Sequence, residues 1–332
     1  MTYIMTEYDV ALEKILNHGF DIDGDRTGKG TRCAFGLSTS YDISERVPIM
    51  TKRKVSWKAI LREVLWYISG SHSIAELEQR NCGIWTPWKN DEFTTKHKLP
   101  KGSGGYIYGF NLIHFGAEIR DVEFYKSSLA LYNRYIDQPQ DETSERDREW
   151  AQRGLSEVKA AFNGKLGFNQ LDYVINTLRA NPKSRQACFT FWRPDTNSQA
   201  VLPACHAMYS FIVSPDAKTG ELNVLNCHMF QRSCDYPIGV GHGNLWTATL
   251  FTYMIAAQLG MKPGMLYHSG AHCHIYHNSI DQTTEYLSRT EAPPSPKLVL
   301  NPDVKSIYDY REEDFDVIGY EALPSIKFEV AV

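Results

Sequence analysis

Hydrophobic positions along this chain alternate between helical and strand-like spacing. Between Tyr8 and His18, Val10, Leu12, Ile15 and Leu16 recur on one face, which predicts an amphipathic helix. Cys33 to Tyr41 alternates as a strand does. Ser56 to Ile68 reads as a strongly apolar helix carrying one acidic residue, Glu63, among Leu61, Val64, Leu65 and Ile68. A carboxylate so placed either points to solvent or sits in a cavity with a raised pKa, where it can move protons. Leu171 to Leu178 is a second amphipathic helix, closed by Asn181-Pro182-Lys183-Ser184-Arg185-Gln186 before a strand from Ala187 to Trp192. Two strand-like runs flank Cys205 and are followed by a turn at 215–220 and a strand from Leu222 to Met229. Gly239 to Asn244 opens the longest apolar helix, Leu245 to Leu259, with Asn244 as its expected N-cap. Met265 to Ile275 is a further strand, and the apolar tail from Ser325 is expected to dock. The pattern is that of an α/β chain.

Composition narrows the reading. The chain has 332 residues, 42% of them hydrophobic, and a net charge of −4, which suits one core-forming domain with an insertion. The polar, charged stretch from Asp137 to Gly167 is expected to be a surface insertion with one or two solvated helices. No apolar run reaches the roughly 18 residues a membrane helix needs, and the N-terminus lacks the charged and apolar pattern of a secretory leader. Seven cysteines without regular spacing fit free thiols in a reducing cytoplasm. The slightly acidic balance argues against broad nucleic-acid binding. Any nucleotide is therefore expected to be a small ligand.

The candidate chemistry centres on Leu202-Pro203-Ala204-Cys205-His206 and Gln231-Arg232-Ser233-Cys234-Asp235. A thiol at a strand end beside an arginine can become a thiolate nucleophile, and an Arg-Ser pair is an anion site. Arg26, in the loop Asp25-Arg26-Thr27-Gly28-Lys29-Gly30-Thr31, reads as a phosphate clamp or as part of an ordinary hairpin turn. Trp85 and Trp88 flank a proline and are either packing or a wall for a stacked heterocycle. The glycine-rich stretch 102–109 lacks the spacing of a phosphate loop. His272, Cys273, His274 and His277 raise a metallohydrolase alternative, although no third carboxylate or Cys-x-x-Cys accompanies them.

Taken together, these segments resemble the thymidylate synthase family across the chain apart from about residues 116 to 165. The matching pieces include Asp25-Arg26-Thr27-Gly28, Thr51-Lys52-Arg53, Glu63-Val64-Leu65-Trp66, Ile84-Trp85, Tyr108-Gly109, Pro182-Lys183-Ser184-Arg185, the cysteine and arginine segments above, His274-Ile275-Tyr276 and the hydrophobic C-terminus. The resemblance implies a large twisted mixed sheet with flanking helices, its other face buried in a homodimer. It implies one-carbon transfer from 5,10-methylenetetrahydrofolate to ring carbon 5 of a pyrimidine nucleoside monophosphate, without metal. Cys205 would be the nucleophile beside His206, and Arg26, Arg232, Ser233 and the partner-donated Arg185 would bind phosphate. Glu63 and Tyr108 would transfer protons, while His274 and Tyr276 would hold the deoxyribose. Lys52, Trp85, Trp88, Asp235, Gly239 and Val332 would contact or enclose the folate. Asn244 would read the base, its amide matching uracil and opposing cytosine. The family spacing needs one extra residue between Asp235 and Asn244; with the gap elsewhere, Gly243 takes that position.

Three departures bear on the product. The family's Gly-x-Pro-Phe-Asn is here Gly239-Val240-Gly241-His242-Gly243-Asn244; its Gly-Asp-x-His is Gly270-Ala271-His272-Cys273-His274; and the second arginine of its Ser-Arg-Arg is Gln186. Losing a phenyl wall and gaining His242 or His272 favours admission of water, and a hydroxymethyl product, over hydride transfer and a methyl product. A family member that binds nucleotide without turnover is a further alternative, opposed by the presence of both Cys205 and Glu63.

Overall fold

The computed structural model describes residues 2–24, 27–139 and 142–331. In chain order, α1 (Thr6–His18), β1 (Phe20–Ile22) and β2 (Thr31–Asp42) lead to α2 (Trp57–Ile68), α3 (Ile74–Gln79), α4 (Asp91–Lys96) and α5 (Tyr108–Ile113). Then come α6 (Ile119–Asp137), α7 (Glu145–Ala161), α8 (Gln170–Ala180), β3 (Cys188–Thr190), β4 (His206–Pro215) and β5 (Leu222–Asp235). The chain closes with α9 (Leu245–Leu259), β6 (Lys262–Tyr276), α10 (Ile280–Ser288), β7 (Lys297–Leu300) and β8 (Phe315–Ile318).

Six strands form one mixed sheet in the order β1-β2-β6-β5-β4-β3. β5 and β6 run parallel, so the chain must cross over between them, and α9 is that crossover. α9 is apolar all round because it is enclosed: Leu245 through Thr252 are buried without a break. The antiparallel pairing of β4 with β5 sets His206 opposite Gln231, and the parallel pairing sets Asp235 opposite His274. These registers gather the start of β4, the ends of β5 and β6, and the turn before α9 at one end of the sheet.

Among the described residues, one sheet face leaves large apolar side chains exposed. Met208 and Phe230 are cross-strand partners on it, and with Ile212 and Tyr267 they are 41–52% exposed. The tail beyond β8 docks, with Ile326 and Ala331 buried and the Phe328 ring 4.8 Å beneath the Arg53 guanidinium.

Helices α6 and α7 pack against each other as a two-helix hairpin. Tyr132 and Tyr135 of α6 pack edge-on against Trp150 of α7, and Gly154 leaves room for the Tyr132 ring. Few residues of either helix are buried. Arg193 anchors the base of the hairpin by donating to the Ala117 carbonyl.

The structure revises three expectations. Val10 is 59% exposed, because the inward face of α1 is set by Tyr8, Ala11, Leu12 and Ile15. The strand expected over 187–192 is regular only at Cys188–Thr190, after which Phe191 makes one further ladder bond to Ala207. Asn244 is not an N-cap: it has helical backbone angles, and Tyr236–Asn244 is a wide π-helical turn running straight into α9.

Candidate active site

Cys205 stands half-buried immediately before β4, in a turn fastened on both sides. Its backbone N–H donates to the Tyr108 hydroxyl at 2.7 Å, and its carbonyl accepts from the Arg232 N–H at 3.0 Å. The Arg232 side chain reaches back to the same turn, donating to the carbonyls of Ala204 and Pro203 at 2.8 and 2.7 Å. Its guanidinium lies 4.9 Å over Trp192, which therefore orients it. A permanent cation is thus fastened to the turn that carries the thiol, and a cation near a thiol favours the thiolate. Ser233, half-buried, is the next residue on β5.

Asp235 ends β5 and caps the π-helical turn, accepting from the Ile238 N–H at 3.3 Å. A π turn spends one more residue per turn than an α-helix. This turn carries the chain from Asp235 to Asn244. The Asn244 amide bonds the His206 ring. A side chain on Gly243 would instead run into Ile60 at 2.5 Å. A Cβ on Gly239 would lie 3.1 Å from the Asn244 amide nitrogen, a tight approach that would press on the amide. Burial pushes the His206 imidazole down to about 4, so it is neutral at pH 7, with Nδ1 2.8 Å from the Tyr209 hydroxyl.

Glu63 is buried on α2, and its Oε1 accepts from the Trp85 indole N–H at 2.6 Å. Burial raises its pKa, opposed by hydrogen bonds from Trp85 and Tyr67. The cavity reading of Glu63 therefore holds. Tyr108 connects it to the cysteine: its ring meets Trp85 edge-on at 5.6 Å, stacks on Tyr67 at 4.9 Å and meets His206 edge-on at 5.4 Å. Burial, then proximity to Cys205, holds the Tyr108 hydroxyl well above the ordinary phenol range. Trp88 packs 5.9 Å from Trp85.

His274 is buried at the end of β6, where its Nδ1 is 3.2 Å from His272 Nδ1 and its ring meets Tyr276 edge-on at 5.0 Å. Among the described residues no three His, Cys, Asp or Glu side chains converge on one point, so the metal-cluster alternative finds no ligand set. No described helix is long and apolar enough to cross a membrane.

A family model described as thymidylate synthase matches residues 6–332. The chain is 33% identical to the thymidylate synthase of Homo sapiens over 329 residues, 98% of this chain and 90% of that protein. It is 32% identical to the thymidylate synthase of Varicella-zoster virus (strain Dumas) over 330 residues, 98% of this chain and 94% of that protein. The chain belongs to the thymidylate synthase family. Family members are one-carbon transferases that take methylenetetrahydrofolate as co-substrate, and the mixed sheet with its flanking helices is the family's fold.

Among the described residues, Lys52 and Arg185 make no hydrogen bond or ion pair to the cluster above. Lys52 pairs with Asp9 at 2.9 Å and lies near the Tyr3 and Tyr286 rings. Arg185 is exposed in the approach to the edge strand β3. Arg26 and Val332 lie outside the described residues.

Two residues given no role from the sequence join the site. Tyr67 bonds Glu63 and stacks on Tyr108; its position four residues after Glu63 on one helix was the available signal. Arg53 is buried, donates to the Pro237 carbonyl at 2.7 Å, and acts electrostatically on both Asp235 and His242.

Burial pushes the Asp235 carboxyl up to about 7, with the Ile238 N–H and Arg53 opposing it. A carboxyl raised on folding contributes full stability below its unfolded pKa, and that contribution is lost as pH rises to the folded value. Asp235→Asn removes the titration and keeps the cap acceptor. Between about pH 4 and pH 7 the wild-type melting temperature should fall relative to the variant's by a few degrees, measured in parallel melts. Parallel curves would show that this carboxyl does not titrate in that window.

Proposed function

We propose that the Cys205 thiolate adds to carbon 6 of dUMP, that carbon 5 then takes the folate's one-carbon unit, and that the product is 5-hydroxymethyl-dUMP. Addition at carbon 6 makes carbon 5 an enolate nucleophile, which the neutral ring does not offer. Arg232, Ser233, Arg26 and a partner's Arg185 bind the phosphate, and His274 and Tyr276 hold the deoxyribose. Asn244, steadied by neutral His206, accepts from the uracil ring N–H and donates to its keto oxygen; cytosine presents the reverse pattern. Glu63 and Tyr108 move protons near the ring, while Trp85, Trp88, Asp235 and Gly239 border the folate.

The choice of product rests on His242. After carbon transfer, the exocyclic methylene takes either hydride from tetrahydrofolate or the oxygen of a water. His242 stands in the π turn where the family has a phenyl wall, and burial pushes its imidazole down to about 4. A neutral imidazole can accept a hydrogen bond from a water at pH 7 and so hold it near the methylene. The names of the curated relatives favour the second reading, methyl transfer yielding dTMP and dihydrofolate. Mass spectrometry of the products from dUMP and methylenetetrahydrofolate separates the two. 5-Hydroxymethyl-dUMP with tetrahydrofolate is expected; dTMP with dihydrofolate overturns the hydroxymethyl reading.

The active unit in this proposal is a homodimer. Met208, Ile212, Phe230 and Tyr267 form the apolar sheet face that a second copy would cover, and the exposure of Arg185 supports its donation to the partner's site.

A further inference from the structure

Cys234 and Cys273 stand opposite one another on the parallel strands β5 and β6. Neighbouring strands run about 4.8 Å apart, inside the Cα separation of roughly 4.4–6.8 Å that a disulfide spans. Both cysteines are fully buried and reduced. A Cβ on Gly270 would meet Cys273 Sγ at 2.4 Å and Cys234 Sγ at 2.8 Å, so both sulfurs converge on space that the glycine leaves free. The two thiols are hydrogen-bonded, an arrangement that holds Cys273 below the ordinary thiol range and Cys234 above it. Neither thiol has a part in the one-carbon chemistry. Each nevertheless sits between site residues: Cys234 between Ser233 and Asp235, Cys273 between His272 and His274.

We propose that Cys234 and Cys273 are a reversible disulfide site, closed by a peroxide and reopened by a thiol reductant, whose closure lowers turnover. The Cys273 thiolate attacks hydrogen peroxide, forming sulfenic acid and releasing hydroxide. The Cys234 thiol then attacks that sulfur and water leaves, so two thiols are oxidised by two electrons and one peroxide is reduced. Because both sulfurs are buried, peroxide reaches them only when the strands open, which makes closure slow. Bonding the sulfurs at about 2.05 Å turns both side chains and shifts the backbone at each cysteine, which displaces Ser233, Asp235 and His274 from the geometry of the reduced site.

The test treats the wild-type enzyme with hydrogen peroxide in the presence of dUMP, which shields Cys205. Alkylation, digestion and mass spectrometry then map the thiols. A Cys234–Cys273 cross-linked peptide is expected, with turnover falling at least about fivefold and restored by dithiothreitol. Cys273→Ala should keep its activity through the same treatment, and Cys234→Ser serves if that variant does not fold. The proposal is overturned if no 234–273 link forms, if the link leaves turnover unchanged, or if Cys273→Ala loses activity equally. Oxidised Cys205 in the same map would mark failure of dUMP binding, while the 234–273 link is read independently.

Discussion

Cys205→Ser should leave a folded protein whose turnover has fallen by about a thousandfold or more. Serine at a strand end has no guanidinium-stabilised anion to offer at neutral pH, so carbon 5 of the pyrimidine stays unactivated. The sulfur makes a long contact to the Pro203 carbonyl at 4.0 Å, which a serine hydroxyl can replace. The turn is held through backbone atoms, by Tyr108 and Arg232, and both bonds survive the substitution. The melting temperature should therefore move by less than about 3 °C while activity disappears. Incubation with 5-fluoro-dUMP and methylenetetrahydrofolate gives a second readout. The wild type should form a covalent complex that survives denaturing electrophoresis, and the variant should form none. Retained turnover would end the thiol mechanism.

Elements whose hydrophobic spacing has one clear period were legible in advance. α2, α8 and α9 are inward-facing or enclosed helices, and the alternation of β2 and β6 follows from one buried face. Failures came where a local signal was outvoted. Val10 is apolar but falls off the arc of Tyr8, Ala11, Leu12 and Ile15, so it faces water. Asn244 looked like a cap because Gly239, Gly241 and Gly243 before it read as loop. The true cap is Asp235, followed by Pro237 in the first turn, which is itself a helix-start signature. The glycines are there for packing: side chains at Gly241 and Gly243 would collide with Tyr8 and Ile60.

The site divides in the same way. Cys205 immediately precedes β4 while Arg232 and Asp235 lie on β5, and their proximity follows from the pairing of those two strands. Glu63 was conspicuous because a carboxylate in an apolar helix demands an explanation. The pairing of Lys52 with Asp9, or the placement of Arg53 under the C-terminal tail, links residues far apart in sequence that no local pattern connects. The Cys234 and Cys273 contact is of this kind: each thiol alone reads as buried filler, and only strand register reveals a pair.

Glu63→Gln should lower kcat by roughly a hundredfold to ten-thousandfold with little change in fold. A glutamine oxygen can still accept from the Trp85 indole, so the 2.6 Å contact and the stacking of Tyr67 on Tyr108 persist. What is lost is a group that gives up and regains a proton beside the ring. Burial raises the wild-type pKa of Glu63 while Trp85 and Tyr67 lower it, so the balance among these effects sets where the acidic limb of the pH–rate profile falls. In the variant that limb should vanish. Trp85→Phe removes a donor that favours the carboxylate, so it should move the limb to higher pH. A structural role for Glu63 would shift the melting temperature and leave the shape of the profile intact. A catalytic role changes the profile and spares the melt. Turnover and thermal melts measured across pH for both variants decide between them.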